Sequence, residues 1–190
     1  MATTRRPGTP STQRKKRRII IVLLSETDGR FLQALARSLQ QTFHASVLTR
    51  SLIRSLDSAY DPARGQYRSP RLLSRLRRIK REAGDKVLGI VDVDLYSPGF
   101  DFVFGEAEIA SGVATLSLHR LRPGSYDSPA DESLFYERAA KEAVHELGHL
   151  YGLGHCPNRR CVMSFSTNLS KVDRKRGAFC PECTAEQEGP

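Results

Sequence analysis

Residues 145–155 read H-E-L-G-H-L-Y-G-L-G-H, three imidazoles and one carboxylate at spacings that suit a metal ion. On a helix, His145 and His149 sit one turn apart and project the same way. Both can then reach one zinc ion at about 2.0–2.1 Å. Glu146 lies beside the pair, offset by one residue, which suits a general base rather than a ligand. A helix continuing unbroken would carry His155 too far along its axis to share the ion. Gly152 tolerates a positive φ and can end the helix, so that the chain turns and brings His155 back as third ligand. Three protein ligands leave a fourth position for water. Water held on zinc has its pKa lowered towards ~7. Glu146 is placed to take the proton and pass it to the leaving amine of a cleaved peptide bond. H-E-x-x-H alone occurs on helices by accident; the added G-x-x-H supplies both a helix breaker and a third ligand.

All four cysteines lie close by: Cys156, Cys161, Cys180 and Cys183. C-x4-C followed by C-x-x-C is spacing that suits a closed, structural zinc site. It would brace the segment after the catalytic helix, which has little apolar mass. A redox C-x-x-C is the other reading.

The string H-E-L-G-H-L-Y-G-L-G-H-C, then four residues, C-V-M and a distal C-x-x-C, resembles the archaemetzincin family of zinc metallopeptidases, whose H-E-x-x-H-x-x-G-x-x-H core is the metzincin signature. The matched motifs span residues 145–183. The resemblance implies an α/β (α+β) metzincin-like protease fold. Such a fold has a mixed twisted sheet of about five strands with an antiparallel edge strand, backing helices and an active-site helix. It implies two zinc ions, one catalytic on His145, His149 and His155, the other structural on Cys156, Cys161, Cys180 and Cys183. It makes Met163 an apolar floor under the histidines and not a ligand. No latency segment with a metal-ligating cysteine is visible upstream, so no zymogen switch of that type is expected. Metzincin-like enzymes bind extended peptide along an edge strand. Residues 102–108 are the candidate strand here, with Phe104, Gly105 and Glu106 as substrate-binding residues.

Other elements must position these groups. Ile19 to Leu24 is an unbroken apolar run of the kind buried on both faces of a sheet. Phe31, Leu35, Leu39 and Phe43 recur at helical spacing behind a cap at Thr27 or Asp28. Residues 45–52 suit a second strand, and residues 57–70 a loop. Ser69-Pro70 opens an amphipathic helix ending near Gly84. Residues 87–93, 102–108 and 113–120 are strand candidates, and the element order is α/β. Ser128 and Pro129 start a long helix. Along it Phe135, Ala139, Ala143, Leu147 and Tyr151 form an apolar ladder, roughly opposite His145 and His149. Arg138 and Glu142 share the His145 side and suit ordinary pairing along the helix. Asp92 and Asp94 suit solvated strand-end acids better than a cation site, and His44 and His119 suit structural roles.

The chain of 190 residues carries a net charge of +9, but Arg5, Arg6, Arg14, Lys15, Lys16, Arg17 and Arg18 supply seven of it, leaving +2 for residues 19–190. The basicity therefore belongs to a tail rather than to a binding face. The expected division is a disordered basic tail (1–18), one catalytic domain (19–184, its subdomains meeting at 152/153) and a short C-terminal tail (185–190). The apolar run at 19–24 is shorter than a signal-peptide core or a membrane span. The expectation is a cytoplasmic monomer with reduced thiols and no membrane partner, acting on peptide or protein substrates. The alternatives are a non-catalytic, zinc-stabilised interaction module guided to nucleic acid or another anion by residues 1–18, and a zinc amidohydrolase for non-peptide substrates. The intact Glu146 argues against the module, which would have no use for a base beside an open zinc.

Overall fold

The computed structural model describes residues 17–79, 82, 84–123 and 129–188. Strand β1 (Arg18–Leu23) buries every residue from Ile19 onward, as its unbroken apolar run requires. Helix α1 (Gly29–Phe43) starts at Asp28, whose carboxylate accepts the Arg30 N–H at 3.0 Å. Its buried face is Phe31, Leu35, Leu39 and Phe43, and β2 (Ser46–Ser51) follows. A two-strand hairpin, β3 (Tyr60–Asp61) and β4 (Gln66–Arg68), precedes α2 (Ser69–Arg77). Then come β5 (Lys86–Val91), β6 (Leu95–Tyr96), β7 (Gly105–Glu108) and β8 (Val113–Ser117). Helices α3 (Pro129–Leu150), α4 (Leu169–Arg174) and α5 (Pro181–Glu188) complete the chain.

The main sheet runs β2-β1-β5-β8-β7. Its first four strands are parallel, and the edge strand β7 is antiparallel to β8. This is the expected mixed five-stranded sheet with an antiparallel edge. The chain leaves β1 in one direction to β2 and returns past it to β5 on the other side. Crossovers of one hand running in opposite directions place their helices on opposite faces. Accordingly α1 and α3 cover one face, over Ile19, Ile21, Leu88, Ile90 and Leu116. Helix α2 covers the other, over Ile20, Val22, Val87, Val91 and Val113. β3, β4 and β6 form a separate small sheet.

Several boundaries differ from expectation. Helix α2 stops at Arg77, well before Gly84, because the N–H groups of Arg78 and Ile79 turn to carbonyls three residues back. Ser69 is not its cap: the buried hydroxyl lies 3.0 Å from that of Thr115. Residues 57–70 hold the β3–β4 hairpin, with Gly65 at φ 66° in its turn. The last parallel strand ends at Ser117, since Leu118 adopts helical dihedrals and His119–Leu121 form a 3-10 turn. The edge strand is Gly105–Glu108 rather than 102–108. The basic tail gives up its last residues to the body: Arg18 forks onto Asp85 at 2.7 and 2.8 Å, and Arg17 donates to the Gln187 carbonyl. Residues 185–188 continue α5, with Gln187 buried, so no tail starts at 185. The proposed cap Ser128 and residues 1–16 lie outside the described residues. No described helix is long and apolar enough to cross a membrane.

Candidate functional site

Helix α3 lies against the sheet with residues 141–148 buried. Its apolar ladder faces the core, Ala139, Ala143 and Leu147 being wholly inaccessible. The helix ends in a Schellman turn. Leu153 N–H returns to the Gly148 carbonyl and Gly152 N–H to that of His149, each at 3.0 Å, with Gly152 at φ 98°. A side chain at that φ would be strained, so the sequence places glycine there. The chain then reverses and brings the His155 ring 5.3 Å from that of His145 and 4.8 Å from that of His149, centroid to centroid.

His145 Nδ1 is 2.9 Å from the Val162 carbonyl, and His149 Nδ1 is 2.8 Å from the Leu153 carbonyl. A carbonyl can only accept, so both Nδ1 atoms carry the proton and both Nε2 atoms present lone pairs. These Nε2 atoms face each other at 3.1 Å. Two acceptors held this close are stabilised by a cation between them. Zinc with bonds of about 2.05 Å would separate tetrahedral ligands by about 3.3 Å. Ligand atoms of all three histidines lie within 4.8 Å of one another. Burial, together with the positive charge of Lys175, pushes all three imidazoles toward the neutral, metal-binding form. The donor set therefore fits a zinc ion.

Glu146 stands in the same cavity, 540 Å³ in volume. Burial first, then the carboxylates of Glu142 and Glu106, hold its pKa well above the usual glutamate range, against the pull of Lys175. Edge strand β7 packs directly on it: a Cβ added to Gly105 would fall 2.6 Å from Glu146 Cγ and 2.7 Å from Oε1. Phe104, Gly105 and Glu106 thus line the cavity with the three histidines. Phe104 is itself buried, edge-on to Phe102, and backs the wall. Glu106 accepts from Ser97 Oγ at 3.1 Å, while its Oε2 is buried without a partner. Met163 is fully buried beneath the histidine-bearing turn, where a side chain on Gly148 would strike its sulfur.

The four cysteines also converge. Cys156 and Cys180 sulfurs are 3.7 Å apart, as are those of Cys161 and Cys183, and all four lie within 4.8 Å of one another. Tetrahedral sulfurs around zinc at about 2.3 Å stand about 3.8 Å apart, so this donor set fits zinc as well. Burial opposes ionisation of Cys161, yet the N–H groups of Cys180 and Met163 draw its pKa below the ordinary thiol value. Burial raises that of Cys183.

The polar residues around α3 depart from simple helix pairing. Arg138 forks onto Asp173 of α4 at 2.6 and 2.7 Å. Glu142, on the cavity wall, accepts from Lys175 Nζ at 2.9 Å, both side chains being almost completely buried. Sequence reasoning missed Lys175, which sits in a run of cations with nothing to single it out. Asp94 and Asp92 are not free strand-end acids: Asp94 forks onto Arg120 and Asp92 pairs with Arg122. His44 is the left-handed C-cap of α1. Lys175→Met is expected to destabilise the protein by about 3–5 kcal/mol, because it strands a buried carboxylate. Burial raises Glu142's pKa even with its partner in place. A raised pKa favours folding at low pH and costs stability as pH rises through it. Urea unfolding of the variant should thus show a larger deficit at pH 8 than at pH 5. A pH-independent deficit would assign the loss to packing alone.

Comparison with known proteins places this architecture. The profile of peptidase family M54 matches residues 39–188. The archaemetzincin of Pyrococcus furiosus is 40% identical over 176 residues, covering 90% of this chain and 92% of that protein. The crystal structure of archaemetzincin from Methanopyrus kandleri superposes with a TM-score of 0.81 at 35% identity, over 94% of this chain and 97% of that one. That from Archaeoglobus fulgidus, complexed with malonate, gives 0.75 at 41%, over 89% and 99%. The architecture is thus shared along nearly the whole chain, which belongs to peptidase family M54, the archaemetzincins.

Proposed function

We propose that this chain is a zinc-dependent endo- or exopeptidase of the metzincin type, with His145, His149 and His155 as catalytic zinc ligands and Glu146 as general base. The observation that carries this reading is the convergence of three imidazoles, two of them with proton-free Nε2 atoms turned to each other, beside a buried carboxylate that meets no protein donor among the described residues. A zinc ion held there would acidify a water molecule and polarise the scissile carbonyl. Glu146 takes the proton of the attacking water and returns it to the departing amine. The Val162 and Leu153 carbonyls fix the tautomers and ring orientations of His145 and His149. Met163 supports the turn from below. An extended substrate lies along the free edge of β7, past Gly105 and Glu106, where main-chain hydrogen bonds hold it irrespective of sequence.

Cys156, Cys161, Cys180 and Cys183 hold a second, structural zinc ion in this reading. Metal analysis of the purified protein should find two zinc ions per chain, and His149→Ala should lose one while Cys183→Ala loses the other. A single zinc ion, or none, breaks the two-site assignment. Hydrolysis of a peptide pool, abolished by chelation and restored by zinc, tests the activity itself.

A further inference from the structure

The near balance of charge outside the N-terminal tail conceals a segregation. Residues 153–180 carry Arg159, Arg160, Lys171, Arg174, Lys175 and Arg176 against a single acid, Asp173. Asp173 is taken up by Arg138, and Lys175 by Glu142. Arg159, Lys171 and Arg174 remain exposed and form no ion pair with the described residues. The Lys171 ammonium donates to the Thr167 hydroxyl at 3.0 Å. These three side chains line a recess of 370 Å³ together with Ser164, Phe165 and His155. No carboxylate among the described residues lines it. His155 and Phe165 also line the cavity that holds Glu146. Their ring centroids lie 4.8 Å apart and Phe165 is 46% exposed, so the two packed rings form a wall common to both recesses and open to solvent along Phe165. Cys156 is a further lining group, and a zinc ion on four thiolates would carry a net charge of about −2. The five cations left over on this segment exceed that charge.

We propose that this recess binds a carboxylate of the peptide substrate, next to the bond being cleaved. The proposal rests on the peptidase reading and deepens it: the chain selects substrates by a negative charge on the His155 side of the cleft. The main cavity is lined by acids instead, Asp101 and Glu106, the charge of Glu142 being matched by Lys175. The recess therefore favours an anionic group on the His155 side of the cleft, which sets the direction in which the substrate lies. The carboxylate comes either from an acidic side chain or from the end of the substrate chain.

The test uses full-length, zinc-loaded protein and three versions of one peptide pool. One contains glutamate with amidated C-termini, one contains glutamine with free C-termini, and one contains glutamine with amidated C-termini. Cleavage is followed by mass spectrometry. The expected result is kcat/KM about tenfold higher for a carboxylate-bearing pool than for the fully neutral one at low salt, equivalent to about 1.4 kcal/mol. The pool that gains identifies the source of the carboxylate. The advantage should fall towards parity in 1 M salt, where screening acts within about 3 Å. In Lys171→Glu/Arg174→Glu the ratio should invert, and in Arg159→Glu, which lies outside α4, it should at least collapse. Equal rates for all three pools in the unaltered protein would overturn the proposal. If no pool is cleaved, the peptidase reading fails separately. Fluorescence anisotropy of fluorescein-labelled peptides with Glu146→Gln then still decides whether the recess prefers a carboxylate.

Discussion

Glu146→Gln is expected to lower peptide hydrolysis by a factor of about 10²–10⁴, the usual contribution of a positioned acid–base group. Zinc content should stay unchanged. The substitution is nearly isosteric, so it preserves the packing of Gly105 against this side chain, which leaves no room for even a Cβ. It removes only the capacity to accept a proton. The effect should therefore fall on kcat, with KM little altered, since the residue acts on the reacting water rather than on bound substrate. Glu142 and Glu106 line the same cavity but cannot substitute. Glu142 is engaged by Lys175 at 2.9 Å, and one oxygen of Glu106 by Ser97. Turnover unchanged in zinc-loaded Glu146→Gln would remove this residue from the mechanism. Loss of zinc in the variant would make it a ligand or a structural support instead.

Much of this arrangement is legible in the chain because it rests on local periodicity. The i, i+4 spacing of His145 and His149, the breaker at Gly152 and the ladder Ala139, Ala143, Leu147 are all statements about one helix. The unbroken run at 19–24 is likewise sufficient for a strand buried on both faces. What escapes is set by distant partners or by elements too short to display a pattern. Strands β3, β4 and β6 have two or three residues each, too few for alternation to emerge. Lys175, just past α4, is buried because Glu142 lies 33 residues earlier on α3, and nothing in D-R-K-R-G marks which cation turns inward. Net charge misleads for a related reason. Summed over residues 19–190 it nearly cancels, while the fold gathers Arg159, Lys171 and Arg174 beside His155. Phe165 has a fainter signal, an aromatic two residues past Met163 in an otherwise polar stretch, and it stands exposed at the cleft mouth.

Cys161→Ser is expected to abolish hydrolysis at temperatures where most of the fold persists, and to lower the unfolding temperature by about 10 °C or more. The segment after α3 buries few apolar side chains of its own, chiefly Leu153, Val162, Met163 and Val172. Structural zinc sites contribute roughly 10–16 kcal/mol in small zinc-binding peptides, comparable to the whole net stability of about 5–15 kcal/mol of a typical domain. A loss of even about 3 kcal/mol shifts the midpoint by about 10 °C in a chain of this size. Catalysis should suffer first because the cysteine knot and the histidine triad share backbone. The Val162 carbonyl that orients His145 lies between Cys161 and Met163, and Cys156, whose N–H donates to the Met163 carbonyl at 2.9 Å, directly follows His155. Releasing the knot frees the groups that aim two of the three imidazoles. Helix α2 has a core of its own on one face of the sheet, and strand, α1 and α3 residues make up most of the core on the other, so far-ultraviolet circular dichroism should retain most of its amplitude while turnover is lost. The same order should appear when a strong chelator strips the protein stepwise. If Cys161→Ser keeps full turnover and thermal stability, the cysteines do not brace the active site, and His145 must be held by the packing of α3 alone.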